Sequence, residues 1–255
     1  ARPDARAPCE PPVAGLQGNT SLLSSWLHPL KGWSLRETRG GSAGFIGRAV
    51  AQLLIAAGHE TMLSNSRGPQ TMSSVLSGIP GSQVGTVEDA AQFGEVVLVA
   101  IPLEHYRSVP AKWLEGKTVL DANNYYPKRD GHIAALDRFE TTTSRLLAEH
   151  LPHSSVVKVF NAILAQDLVQ DSRPKAAPDR RALPIAADDP AAKALVIKLL
   201  DEIGFDAVDA GSLDESWRFE RAKPAYCIPL DKEGLKVALA AAHRQVELPE
   251  GSWRR

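Results

Sequence analysis

Cysteine is nearly absent: Cys9 and Cys227 are the only two in 255 residues. They stand far apart and have no histidines at zinc-type spacing, so neither a disulfide framework nor a metal knuckle is expected. Such usage suits a reducing compartment, and a cytoplasmic location is the expectation. Long hydrophobic runs are also missing, since nothing approaches the roughly 18 apolar residues of a membrane span. An excess of either charge is missing too. The 29 basic and 30 acidic residues give a net charge of −1 and are mixed along the chain. That argues against a basic stripe for nucleic acid and against a polybasic membrane patch. There is no internal repeat. A chain of this length, 44% hydrophobic and 23% charged, suits one large α/β domain or a large domain with a small one.

Several catalytic signatures are absent as well. Tyr125 and Tyr126 precede Pro127-Lys128 without Tyr-x-x-x-Lys spacing. Asn161 is followed by Ala162-Ile163-Leu164, which breaks the Gly-x-x-x-Asn-x-x-Lys pattern of hydroxyacid dehydrogenases. No Gly-x-Ser-x-Gly turn suggests a hydrolase. No catalytic side chain and no metal ligand is assigned.

What the sequence does contain begins after residue 40. Residues 1–40 are rich in Pro, Gly, Arg and Ser, and they are predicted to form an irregular, disordered segment. The stretch 21–30 is interrupted by Ser24, Ser25, His28 and Pro29, so it lacks the apolar core of a signal peptide. From Phe45 the pattern becomes regular. Phe45, Ile46, Ala49, Val50, Leu53 and Leu54 recur at helical spacing, and Gly58 sits where a helix C-terminus takes glycine. Strands are predicted at 61–63, 95–101, 117–121, 155–160, 183–186 and 205–209. Helices between them are predicted at 86–93, with Thr86 as cap, and from Asp188-Asp189-Pro190 to Gly204. This alternation predicts an α/β fold, a doubly wound parallel sheet of Rossmann type, over residues 41–211. Residues 212–255 are expected to add a small helical, aromatic segment packed through Leu235, Leu239 and Val246.

Ser42-Ala43-Gly44-Phe45-Ile46-Gly47 approaches a dinucleotide-binding glycine turn. Gly44 fills the position where the backbone nears a pyrophosphate, and Gly47 the position where helix and strand pack closely. Ser42 stands at the first glycine position, with Gly41 beside it. Alone, the turn does not choose between holding a phosphate on a helix N-terminus and binding nothing. The residues before it, Trp33-Ser34-Leu35-Arg36-Glu37-Thr38-Arg39-Gly40, carry three charges where a buried central strand is expected. An unpaired ion there costs several kcal/mol, so this segment is expected not to be the one with which the fold evolved.

About twenty residues later comes Ser64-Asn65-Ser66-Arg67. NAD sites place an Asp or Glu at the end of this strand for the ribose hydroxyls. Here 62–67 holds no acid, and Arg67 offers a guanidinium that matches a phosphate bidentately. NADP(H) is therefore favoured over NAD(H), against the alternative of a polar turn ended by Gly68-Pro69. Asn123 and Asn124 close a strand at the carboxyl edge where open α/β sheets bind ligands, although turn chemistry before Pro127 explains them equally. Lys158 is expected to face solvent or to snorkel. His105 and Tyr106 are expected at an ordinary helix start, with the cleft lining as the alternative. Trp217, Phe219, Tyr226 and Cys227 are expected to serve packing or a subunit interface.

Six segments occur in order: Gly44-Phe45-Ile46-Gly47, Ala57-Gly58-His59-Glu60, Ser64-Asn65-Ser66-Arg67-Gly68, Val99-Ala100-Ile101-Pro102, Asp121-Ala122-Asn123-Asn124 and Lys158-Val159-Phe160-Asn161. Over residues 41–220 the chain resembles the coenzyme-F420-dependent NADP oxidoreductase family, which also includes the oxidoreductase domain of STEAP-type metalloreductases. The resemblance implies a Rossmann domain that binds NADP(H) and passes hydride to a deazaflavin (F420) or flavin-like acceptor. It implies 2′-phosphate contacts from Ser66 and Arg67, with Ser64 and Asn65 in the same cluster. It implies a pyrophosphate turn from Gly44, Phe45, Ile46 and Gly47, a nicotinamide-ribose loop at Ile101 and Pro102, and Asn161 at the nicotinamide end. A homodimer through the C-terminal segment is also implied. The alternatives are an NADP(H)-sensing protein without turnover, or a degenerate copy whose altered first glycine impairs binding.

Overall fold

Short β-branched stretches separated by amphipathic helices dictate a layered α/β molecule, because each strand buries both faces and each helix only one. The computed structural model describes residues 31–37, 42–249 and 251–252. Residues 1–30 and 38–41 lie outside them, and with them most of the predicted irregular segment, Arg39 and the glycine at position 41.

The strands are β1 (Lys31–Glu37), β2 (Glu60–Asn65), β3 (Ser82–Val84), β4 (Val96–Val99), β5 (Thr118–Asp121), β6 (Ser155–Lys158), β7 (Ala182–Ala187) and β8 (Asp206–Asp209). They form one sheet in the order β3-β2-β1-β4-β5-β6-β7-β8. The first six follow the doubly wound order of a dinucleotide-binding fold, with the switch point between β1 and β4. The main helices are α1 (Ser42–Ala56), α3 (Val87–Phe93), α6 (Thr143–His150), α8 (Pro190–Glu202) and α9 (Lys232–Ala240). Shorter ones are α2 (Ser73–Gly78), α4 (Pro127–Asp130), α5 (Ala134–Asp137) and α7 (Ala165–Gln170).

Two expectations need correction. Lys31–Glu37, predicted as irregular, is the central strand, paired in parallel with β2 on one side and β4 on the other. The sheet is also not parallel throughout. β6 pairs with β7 antiparallel, and β8 then pairs with β7 in parallel. The connection after β6 contains only the six-residue α7 and a polar loop. It turns the chain back from the carboxyl end of β6 without crossing the sheet, so β7 must run the other way. The βαβ unit β7–α8–β8 is as expected from its sequence. The edge strand β3 has no counterpart among the predicted strands, being three residues with a single valine.

Local chemistry explains where the helices begin and end. Thr86 and Asp89 form a reciprocal capping box at α3. Asp189 caps α8 through the backbone N–H groups of Ala191 and Ala192, with Pro190 at the first helical position. Gly58 follows α1 at φ +90 and Gly204 follows α8 at φ +95, in the left-handed region that glycine enters without strain.

One apolar cluster joins Ile46, Val50 and Leu54 of α1 to Leu63, Leu98, Leu120 and Val157 of the sheet and to Val196 and Leu200 of α8. The opposite face buries Val97, Val99, Val119 and Val156 against Leu147, Leu103 and Tyr106. Full burial of each such side chain contributes roughly 1.5–3 kcal/mol. A third cluster sets Phe219, Tyr226, Cys227, Leu235 and Leu239 on Ala182, Ala186 and Val208, so the C-terminal segment shares a core with the sheet. Val246, expected to pack, is 55% exposed. Among the described residues no helix is long and apolar enough to cross a membrane.

Candidate functional site

The carboxyl ends of β1, β2, β4, β5 and β6 line one rim of the sheet, and the predicted site residues sit there. α1 starts at Ser42, which puts Gly44, Phe45, Ile46 and Gly47 in its first two turns. Ile46 and Gly47 face the protein interior, whereas Phe45 is 63% exposed at the helix start.

At the end of β2 the four clustered residues divide into two pairs. Ser64 and Asn65 are buried within the strand; Ser66 and Arg67 are exposed beyond it. Asn65 builds the loop rather than reaching outward. Its Oδ1 accepts from the Arg67 backbone N–H at 2.9 Å, and its Nδ2 donates to Thr71 Oγ1, also at 2.9 Å. This is an Asx turn, tied down again by the Thr71 hydroxyl on the Gly68 carbonyl at 2.8 Å. The turn leaves the Arg67 guanidinium without an ion-pair partner among the described residues and projects it past the strand end.

The loops after β4 and β5 are held together by Asn123. Its Oδ1 accepts from the Ile101 backbone N–H at 2.8 Å, which fixes buried Ile101 and Pro102 at the rim. Because Oδ1 is taken, Nδ2 is the free end of the amide, and it is buried without a partner. Asn161, just past β6, is the mirror case. Its Nδ2 donates to the Phe219 carbonyl at 2.9 Å and to Asn124 Oδ1 at 3.2 Å, leaving its buried Oδ1 unpartnered. Phe160, immediately before it, adopts φ +63, an uncommon conformation for a non-glycine residue.

Lys158 neither faces solvent nor snorkels, as its sequence context suggested. It is fully buried with Asp121, the residue directly across from it in the β5–β6 register. Its ammonium donates to Asp121 Oδ2 at 3.2 Å, to Thr143 Oγ1 at 2.6 Å and to the Asn123 carbonyl. Ser144 Oγ donates to the same Asp121 oxygen at 2.6 Å, and Asp121 Oδ1 accepts from the Asn123 backbone N–H at 2.9 Å. The network fixes the backbone of Asn123 from beneath. One signal for it exists in the sequence: an acid and a base each closing an apolar strand, at equivalent places in neighbouring strands.

Other residues fall away from the rim. Tyr106 packs edge-on against His150 with ring centroids 6.0 Å apart, inside the second core cluster, while His105 is exposed. Phe219, Tyr226 and Cys227 are packing residues. The Tyr126 and Tyr226 hydroxyls meet at 2.6 Å, and burial pushes the Tyr226 phenol well above its ordinary range.

Comparison with known proteins places the chain among NADP-dependent oxidoreductases by similarity. Residues 42–125 match the family model described as NADP oxidoreductase coenzyme F420-dependent. The chain is 28% identical over 193 residues to rat metalloreductase STEAP3, covering 73% of this chain and 37% of the relative. It is 26% identical over 237 residues to human metalloreductase STEAP2, covering 89% and 44% respectively. The chain thus spans less than half the length of these curated relatives. Among solved structures, a hypothetical protein from Sinorhizobium meliloti aligns with a TM-score of 0.67 at 25% identity, over 84% of this chain and 98% of that one. A proposed F420-dependent NADP reductase from Arthrobacter sp. FB24 aligns with a TM-score of 0.60 at 25% identity, over 72% and 86%. The chain is therefore similar to the NADP-dependent oxidoreductases of the F420-dependent family, as its six motifs implied.

Proposed function

We propose that this chain is an NADP(H)-dependent oxidoreductase that transfers hydride between NADPH and a deazaflavin (F420) or flavin-like acceptor. The observation that carries this reading is the end of β2. Asn65 satisfies itself within its own turn, so the exposed pair Ser66 and Arg67 meets the adenosine ribose where an NAD site has a carboxylate. A guanidinium and a hydroxyl there attract a 2′-phosphate; a carboxylate would repel it.

The nicotinamide end supports the same reading. Asn123 contributes a donor and Asn161 an acceptor, both left over after the protein's own hydrogen bonds are made. A carboxamide carries the complementary acceptor and donor. Each unpaired buried group costs about 1–3 kcal/mol, so pairing with a nicotinamide amide relieves a cost that the folded chain otherwise bears. Gly44 and Gly47 at the start of α1 would hold the pyrophosphate, and Ile101 and Pro102 the adjoining ribose.

When bound, the nicotinamide supplies the hydride. The chain's part is to orient: Lys158 and Asp121 fix Asn123, Asn123 fixes Ile101, and Asn124 ties Asn161 to the same rim. No acid or base of the chain is assigned to the step, because alignment of donor and acceptor faces supplies most of what such a transfer needs. In this proposal 41–211 is the NADP-binding unit and 212–255 its C-terminal segment, in a cytoplasmic protein that pairs as a homodimer.

Calorimetric titration with NADPH and NADH tests it. NADPH is expected to bind more tightly, and Arg67→Ala to weaken NADPH by about 1.5–3 kcal/mol, roughly 10- to 150-fold, while leaving NADH unchanged. An unchanged NADPH-to-NADH ratio in the variant refutes the role given to Arg67. Loss of NADPH absorbance on adding F420, FMN or a ferric chelate separates turnover from mere binding.

A further inference from the structure

A cleft of about 460 Å³ opens between the loop after β5 and the C-terminal segment. It contains none of the predicted nucleotide contacts, although Tyr125 in its wall follows directly on Asn123 and Asn124. Its size is that of a small-molecule pocket.

Most of the charged groups around the cleft have partners within the chain. Asp137 accepts from the Tyr125 hydroxyl at 2.7 Å and lies 3.1 Å from His132. Glu220 Oε1 accepts from the Thr143 N–H and hydroxyl at 2.9 and 2.8 Å. Arg221 pairs with Glu247 at 3.3 Å. The Lys223 ammonium donates to the carbonyls of His243, Arg244 and Val246 at 2.9, 2.8 and 2.7 Å, which uses all three of its protons.

Arg244 differs. Among the described residues its guanidinium has no carboxylate partner. Nη2 makes one long contact, 3.5 Å, to the Thr141 carbonyl, and Nε has no partner. The Thr141 hydroxyl beside it has none either. The guanidinium carbon lies 5.9 Å from the Trp217 ring centre, and Phe139 and Tyr125 supply further ring surface. Two non-glycine residues with positive φ border the cleft, Phe139 at +56 in one wall and Ala222 at +63 beside the other. Such conformations carry strain and gather at ligand sites.

We propose that this cleft binds a planar aromatic ligand bearing one anionic group, a carboxylate or its equivalent. The ring lies among Phe139, Tyr125 and Trp217, and the anion meets Arg244 and the Thr141 hydroxyl. The site is separate from the dinucleotide site and stands whether or not NADPH binds.

The test titrates the full chain with 2-naphthoate in the absence of nucleotide, by calorimetry and tryptophan fluorescence. The neutral methyl ester of the same acid serves as comparison, and NADPH is titrated in parallel. The expected result is one saturable site that prefers the acid over the ester by about tenfold or more. Arg244→Ala is expected to remove that preference while NADPH affinity stays as in the parent, and Arg244→Lys to keep part of it. Should Arg244→Ala fail to fold, Thr141→Val provides the second reading, with acid binding weakened and ester binding not. Absence of saturable binding, equal affinity for acid and ester, or unaltered discrimination in Arg244→Ala would overturn the proposal. Failure of NADPH to bind would overturn the reading of Arg67 and leave this one intact.

Discussion

Replacing Lys158 by methionine isolates the network beneath the rim. The two chains have nearly the same volume at this position, so no cavity term enters. What is lost is a cation with zero exposure and all three of its hydrogen bonds, to Asp121, Thr143 and the Asn123 carbonyl. What remains is a carboxylate, also with zero exposure, supported only by Ser144 Oγ and the Asn123 N–H. Breaking a buried pair from one side typically costs about 3–5 kcal/mol, because the surviving charge is left uncompensated. For a domain whose whole stability is about 5–15 kcal/mol this is a large share. It corresponds to a fall of roughly 6–20 °C in Tm at 2–4 °C per kcal/mol for a chain of this size.

The companion variant Lys158→Met with Asp121→Asn removes both charges. Asparagine keeps an acceptor for the Asn123 N–H and offers Ser144 a donor. The double variant is therefore expected to be more stable than Lys158→Met alone by about 1.5 kcal/mol or more, and with Asp121→Asn alone it completes a double-mutant cycle that reads the coupling. Urea titration followed by circular dichroism gives all four free energies. A Lys158→Met stability within about 1 kcal/mol of the parent, or a double variant no better than the single, would refute the buried pair as the support of Asn123.

Gly204→Ala tests the turn after α8. The residue sits at φ +95, and a Cβ there would lie 2.3 Å from Ser172 Oγ and 2.7 Å from the Arg173 backbone nitrogen. A loss of more than about 2 kcal/mol is expected in thermal melts, and a loss below half of that would contradict the placement. Asp189→Ala tests the cap of α8 and its pH dependence. The Ser155 hydroxyl, then the N–H groups of Ala191 and Ala192, hold the Asp189 carboxyl below its ordinary value of 3.8. A depressed carboxyl contributes stability that is present above the unfolded value and lost as pH falls through the folded one. Asp189→Ala is therefore expected to cost about 1 kcal/mol at neutral pH and clearly less near pH 3, measured by urea titration at both. An equal cost at the two pH values would show that the ionised cap is not the cause.

The legible parts of this chain are those where one residue type has one local use. Thr86, Asp189 with Pro190, and Gly58 and Gly204 each mark a helix end by backbone chemistry alone, and each is found doing so. Lys158 was illegible because a lysine in an apolar strand has two outcomes, a snorkelling stem or a buried pair. The choice rests with Asp121, 37 residues earlier, and becomes visible only once β5 and β6 are aligned. The reversal of β7 was hidden likewise: Ala182–Ala187 has the same apolar pattern whichever way it runs, and direction is set by a connection that does not cross the sheet.

β1 is the instructive case, because there an energetic rule depends on register. The rule concerns an ion in the middle of a central strand. Yet the register places Ser34 and Leu35 beside Val97 and Leu98, while Arg36 and Glu37 pair with Ser64 and Asn65 at the last two positions of β2. Those positions form the carboxyl rim, where open α/β sheets meet their ligands and where this chain already ends β2 on Ser64 and Asn65 and β5 on Asp121. Register, not a count of charges, therefore decides which rule applies in β1, and at the same rim the charge that closes β5, Asp121, is accommodated by the Lys158 ammonium across from it.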